Sequence, residues 1–150
     1  LARGFALSRG YGWMLFTASA AGLLSQPDAP YAVTKHAAVA HAEWLAITHG
    51  AQGLGVACLC PGAVDTPMLH AEPADRRAVV SAGQQAISAD DVADLVVQGL
   101  ADERFLILTE PLVAQWEARK VADRERWIRG MRRAWALPAV ANTPTRSHNI

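Results

Sequence analysis

The sequence predicts an α/β fold with a mostly parallel sheet. Three observations carry that prediction: short, wholly apolar runs rich in strand formers, an Ala-rich stretch of helical length between two of them, and Gly- or Pro-bearing segments at the switches. The 150 residues, about half of them apolar, suffice for one compact domain with a core of its own.

The elements follow in order. Residues 13–17 (WMLFT) read as a strand buried on both faces. The segment from Ala18 to Pro30 carries Gly22, Pro27 and Pro30 and reads as a loop. From Tyr31 to His49 neither Pro nor Gly interrupts, and Ala37, Ala38, Ala40, Ala42, Leu45 and Ala46 favour a helix, apolar on nearly all sides and therefore expected to be covered on both faces. Gly50, Gly53 and Gly55 close it, and residues 56–60 (VACLC) form a second buried strand ended by Pro61 and Gly62. Residues 65–87 are mixed, with short helical pieces. Ser88 and Asp91 suit a capping box ahead of a helix whose apolar face is Val92, Leu95, Val96 and Leu100. Residues 105–108 (FLIL) make a third strand, and 111–135 a single last helix with Pro111 at its start and Trp116, Trp127, Met131 and Trp135 as apolar anchors. The tail from Asn142 onward is expected to fray, and no internal repeat is found.

Charge excludes some partners. Fourteen basic residues balance fourteen acidic ones, so nothing steers the chain toward nucleic acid or an anionic membrane. Seven Lys or Arg against three acids between 117 and 133 read as the solvated face of an amphipathic helix in preference to an anion-binding face. Cys58 and Cys60 are expected on opposite strand faces and unbridged, small core residues in a reducing, cytoplasmic setting; with no further His or Cys near them, no metal is expected. Arg3 and Arg9 before "GWMLFTASAAGLL" superficially resemble a secretory signal, but the chain opens on Leu1 and the run is shorter than the roughly 20 residues of a membrane span.

The chemistry centres on two residues. Tyr31 and Lys35 are four apart on the expected helix, on one face a turn from each other. A free phenol titrates near 10 and is a poor proton carrier at neutral pH, whereas an ammonium beside it favours the phenolate; the pair is thus a candidate general acid/base unit. The spacing alone recurs by chance on many helices. Its context does not: Ser19 stands 12 positions upstream, just past the first strand, and "PGAVDTPM" follows the second. In an open parallel sheet ligands bind outside the carboxyl ends of the strands, where all three features fall. A hydrolase reading of Ser19 with His36, His41 or His49 as base lacks the G-x-S-x-G elbow, and no H-E-x-x-H pattern makes those histidines metal ligands.

"TASAAG", "YAVTK" and "CPGAVDTPM", in that order, resemble the catalytic-serine segment, the YxxxK helix and the PG motif of the short-chain dehydrogenase/reductase (SDR) family. "SADDVADLVVQGL" and "RFLIL" are similar to its penultimate helix and last strand, and "DRERWIRGMRR" to an extension in some bacterial members. The resemblance implies an NAD(P)-dependent oxidoreductase moving a hydride between nicotinamide and a small-molecule alcohol or carbonyl substrate. Ser19 would hold the substrate oxygen, Tyr31 would move the proton, and Lys35 would stabilise the phenolate and hold the nicotinamide ribose, which Tyr31 also borders. Pro61 and Gly62 would let the backbone approach the nicotinamide, the main chain at Val64 would bind its carboxamide, and the Thr66 hydroxyl would reach the carboxamide or the pyrophosphate. NAD or NADP is the implied cofactor, and the intact protein is expected to be a homodimer or homotetramer, without nucleic acid or membrane partners.

The family's Gly-rich dinucleotide turn and its relay asparagine find no match; "GAQGLG" at 50–55 runs from helix to strand and has the wrong spacing. The expectation is therefore a Rossmann-like doubly wound parallel sheet with the N-terminal nucleotide-binding half, about 100 residues, absent from the chain. On that reading 1–150 is one partial domain: a poorly matched start at 1–12, a catalytic core at 13–110, a C-terminal helix at 111–135 and a tail at 136–150. A noncatalytic truncated fragment or interaction module is the alternative.

Overall fold

The computed structural model describes residues 12–74, 77, 81 and 85–136; the expected tail beyond 136 and the start before Gly12 lie outside them. Three parallel strands, β1 (Gly12–Thr17), β2 (Leu54–Cys60) and β3 (Leu106–Leu108), lie in the order β1-β2-β3. β1 pairs with β2 from Gly12↔Leu54 to Thr17↔Leu59, and β2 with β3 from Cys58↔Leu106 to Cys60↔Leu108. Parallel neighbours require crossovers, and helices supply them.

The period of two along β2 sorts the core into two layers. Val56, Cys58 and Cys60 face helix α1 (Ala29–His49), packing with its Val39, Ala42 and Leu45. Ala57 and Leu59 face the other way with Ile107, against Val92, Val96 and Leu100 of α3 (Ala89–Ala101). In chain order the short α2 (Pro67–His70) falls between α1 and α3. The expected α/β class with helices on both faces of a parallel sheet is therefore observed.

Cys58 and Cys60 do not point to opposite faces. Residues two apart on a strand share a face, and their sulfurs are 3.9 Å apart, unbridged. β1 is not buried on both faces either: it is an edge strand among the described residues, and Trp13 and Leu15 are 45% and 44% exposed. Likewise α1 buries one face, while Val33, Trp44 and Ile47 on the other remain exposed.

Capping sets the helix ends. Asp28 accepts the Tyr31 N–H at 3.3 Å, and Pro30 is tolerated in the first turn, so α1 begins two residues before Tyr31. Ser88 accepts the Asp91 N–H at 3.1 Å, as the capping-box spacing predicts. The expected single helix over 111–135 is two: α4 (Pro111–Ala122) and α5 (Arg124–Trp135). The break is Asp123, extended at φ −149°, whose carboxylate accepts the Arg126 N–H at 2.8 Å. A short acceptor side chain offers the backbone an alternative to continuing the helix, and Asp123 takes it.

Candidate active site

The serine loop leaves β1 still stitched to β2. The Ala18 N–H donates to the Leu59 carbonyl and the Ala20 N–H to the Pro61 carbonyl, both at 2.8 Å. Between these bonds Ser19, extended and buried, caps a single tight turn at Ala20–Gly22 by accepting the Ala21 N–H at 3.1 Å. One lone pair is so occupied, and the Ser19 hydroxyl hydrogen remains available to donate.

Gly22 fixes how near α1 comes to this loop. A Cβ there would lie 2.7 Å from the Lys35 carbonyl and 2.9 Å from a Val39 methyl. The close approach brings Lys35 over the end of β1, where its ammonium donates to the Thr17 carbonyl at 3.3 Å and sits 5.6 Å from the centre of the Tyr31 ring. Tyr31, in the first turn of α1, is 36% exposed and so reachable by a ligand.

The segment after β2 is held from two sides. The Gly62 N–H donates to the Thr109 hydroxyl at 3.0 Å, and the Ala63 N–H to the Glu110 carboxylate. Opposite, Val64 bridges to Ile87, with the Ile87 N–H on the Ala63 carbonyl and the Asp65 N–H on the Ile87 carbonyl. The Thr66 hydroxyl turns back to the Val64 carbonyl at 3.3 Å. A cavity of about 450 Å³ opens at this sheet edge. All seven residues singled out from the sequence, Ser19, Tyr31, Lys35, Pro61, Gly62, Val64 and Thr66, line it.

Sequence reasoning missed four residues that hold the site together: Gly22, Thr109, Glu110 and Lys120. Burial pushes the Glu110 carboxyl above its ordinary range, with the Ala63 N–H opposing, and the carboxyl lies against the Cα of Gly62. Thr109 and Glu110 follow β3 directly, so the sheet-edge rule that singled out Ser19 and the PG segment also pointed to them. Lys120 gave no such signal. Read as part of a solvated face, it is buried, with its ammonium on the Leu23 carbonyl and 3.3 Å from His36 Nε2, while His36 Nδ1 lies 2.9 Å from the Ala32 carbonyl. Burial first, then the charge of Arg124, pulls that ammonium below its ordinary range. The Cys60 thiol is pushed up by its hydrogen bond with Cys58 and by burial, and stays neutral behind the serine loop.

A parallel sheet with helices on both faces and a cavity beyond its strand ends defines the open α/β class, whose ligands bind at that edge. The short chain dehydrogenase family pattern matches residues 2–77, half of the chain, and the chain belongs to that family. The match begins at residue 2 and so overturns the expectation of a sheet whose N-terminal nucleotide-binding half is absent: the family's nucleotide-binding region is represented in the first half of this chain.

Among curated relatives, a 1-deoxy-11-beta-hydroxypentalenate dehydrogenase of Streptomyces exfoliatus is 39% identical over 97 residues, 64% of this chain and 34% of its own length. The enzyme of that name from Streptomyces avermitilis is 43% identical over 81 residues, 54% of this chain and 29% of its own. The matches thus span about a third of these relatives. Among solved structures, a short chain dehydrogenase/reductase from Burkholderia phymatum in complex with NAD superposes with a TM-score of 0.68 at 31% identity, covering 83% of this chain and 53% of that one. A Burkholderia cenocepacia short chain dehydrogenase in complex with NADP shares the fold, with a TM-score of 0.67 at 18% identity. Among the described residues no helix is long and apolar enough to cross a membrane, and no group of His, Cys, Asp and Glu could hold a metal.

Proposed function

We propose that the protein carrying this chain is an NAD(P)-dependent oxidoreductase that interconverts an alcohol and a carbonyl, with Tyr31 as the proton carrier. The observation that carries this reading is the convergence of Ser19, Tyr31 and Lys35 with the PG segment on one cavity, the Lys35 ammonium 5.6 Å from the Tyr31 ring centre. The donor set suits a nicotinamide riboside: a fixed ammonium for the ribose hydroxyls, backbone polar groups at Val64 for a carboxamide, the Thr66 hydroxyl beside them, and a Pro61-Gly62 backbone with no bulky side chain at Gly62. When bound, the nicotinamide supplies the hydride acceptor or donor.

This chain's residues do the rest. Ser19, its hydroxyl oxygen held by the Ala21 N–H, donates to the substrate oxygen and fixes it. Tyr31 takes the proton of the hydroxyl during oxidation and returns it during reduction. The Lys35 ammonium, anchored on Thr17, favours the phenolate through charge. The relatives' name brings a hydroxylated acid of the pentalenate type forward as a candidate substrate. Free, buried Cys58 and Cys60 support a cytoplasmic setting, and the exposed apolar residues Trp44 and Ile47 of α1 support a homodimer or homotetramer.

The test is a titration of the whole protein with NAD and NADP, followed by alcohol oxidation with the cofactor that binds. Saturable binding of one of them and cofactor-dependent turnover are expected. Binding of neither would end this reading.

A further inference from the structure

A second cavity, of about 360 Å³, lies between the serine loop and the two C-terminal helices. It shares Ala20, Gln26 and Gly62 with the catalytic cavity, so the two are neighbouring chambers along one wall. Its far side is aromatic: Trp116 from α4, and Trp127, Met131 and Trp135 from α5. Three indoles and a thioether give a large apolar surface with few rotatable bonds, the kind that packs rigid hydrocarbon.

Two charged groups also line this chamber, and they differ in what already occupies them. Glu110 sits beside Gly62 and spends its carboxylate on the Ala63 N–H. The Arg119 guanidinium has no hydrogen-bond or ion-pair partner among the described residues. Asp123, one turn further on, spends its carboxylate on the Arg126 N–H, and Glu117 is two residues away, off Arg119's side of the helix. A guanidinium bordering an aromatic chamber, with no counter-ion among the described residues, is suited to bidentate capture of a carboxylate. At 1.5 Å of rise per residue Arg119 lies about 13 Å along α4 from Glu110, at the opposite end of the chamber from Gly62.

We infer that this chamber seats the non-reacting part of the substrate, a bulky apolar body ending in a carboxylate that Arg119 holds. The inference rests on the oxidoreductase reading above. The reacting carbon lies by Ser19 and Tyr31, the skeleton passes Ala20 and Gly62, and the indoles enclose it. The class is an alicyclic or aryl hydroxy- or oxo-carboxylic acid.

The test measures calorimetric binding of adamantane-1-carboxylate and the neutral adamantane-1-methanol to the whole protein, with NAD(P) binding titrated separately. The carboxylate is expected to bind about tenfold or more tightly than the alcohol, the size of a charge-assisted hydrogen-bonded pair. Arg119→Gln, on an exposed helix position, should abolish that preference and leave the alcohol unchanged; Trp116→Ala should weaken both. Equal affinities in the unaltered protein, a preference that survives Arg119→Gln, or binding of neither compound overturns the inference. Cofactor binding separates the two claims: if NAD(P) fails to bind while the carboxylate preference holds, the oxidoreductase reading falls and the carboxylate site stands.

Discussion

The candidate catalytic edge and the C-terminal helical pair are built by different means. At the catalytic edge the backbone does the positioning: Ala18 and Ala20 are stitched to Leu59 and Pro61, the PG segment is clamped through its own N–H groups, and Gly22 admits α1 to contact distance. The helical pair is joined to the same loop by side chains: Lys120 reaches the Leu23 carbonyl across 97 residues of sequence, and the Trp127 indole N–H reaches the Ser25 hydroxyl, 3.1 Å away, across 102. Backbone-set geometry is rigid and leaves recognisable local motifs. Side-chain ties leave almost no local signature and can change without disturbing the backbone bonds of the sheet edge.

Substitutions can break or sharpen that contrast. The largest effect is expected at the catalytic edge, where Tyr31→Phe in the whole protein should lower turnover by about 10²- to 10⁴-fold, the usual contribution of a positioned acid/base, while cofactor binding persists. Undiminished turnover in steady-state assays would remove Tyr31 from its role.

Next comes the backbone contact that admits α1. Gly22→Ala forces a Cβ against the Lys35 carbonyl, and overpacking of this kind should destabilise the protein by about 1–3 kcal/mol, read as a lower denaturation midpoint. A midpoint that does not move would show that the loop yields freely.

In the helical pair, Lys120→Met keeps the stem volume but leaves the Leu23 carbonyl without its ammonium. A loss of about 1–2 kcal/mol is expected, with turnover reduced far less than by Tyr31→Phe. Because the folded state holds Lys120 below its ordinary 10.5, its proton leaves the folded protein more readily than the unfolded chain. Stability should therefore rise with pH on the alkaline approach to that value, and denaturation curves of the Met variant should lack the rise.

The smallest effect is expected where the two regions meet. Glu110 titrates above its ordinary 4.5 in the folded protein, so its contribution to stability is complete below that value and is lost as pH rises through the folded one. Glu110→Gln retains an acceptor for the Ala63 N–H and should flatten this acid-side slope, changing stability by under about 1 kcal/mol. An unchanged slope in pH-dependent melts would place the titrating group elsewhere.

How far the sequence could be read follows the same division. The strands, α1, the capping box at Ser88 and the seven cavity residues were legible because each rests on a local pattern: apolar runs, an unbroken helix former series, a cap spacing, or residues just past a strand end. The exposure of one face of β1 and α1 was not legible, since apolar composition does not say which neighbours cover it. Asp123 was legible as a helix start only once the backbone was seen to leave the helix there.

The sequence by itself determined the parallel α/β class and the family, and it singled out Tyr31, Lys35 and Ser19 for the chemistry proposed above, because periodicity and spacing are properties of a few consecutive residues. Only the tertiary structure decided that Lys120 is buried and bound, that Gly22 is a contact point, that Glu110 caps the PG segment, and that three tryptophans and Arg119 wall a second chamber. Those outcomes depend on which groups meet across intervening chain that for Lys120 and Trp127 reaches about a hundred residues, and such contacts exist only once loop closure and packing have brought their elements together.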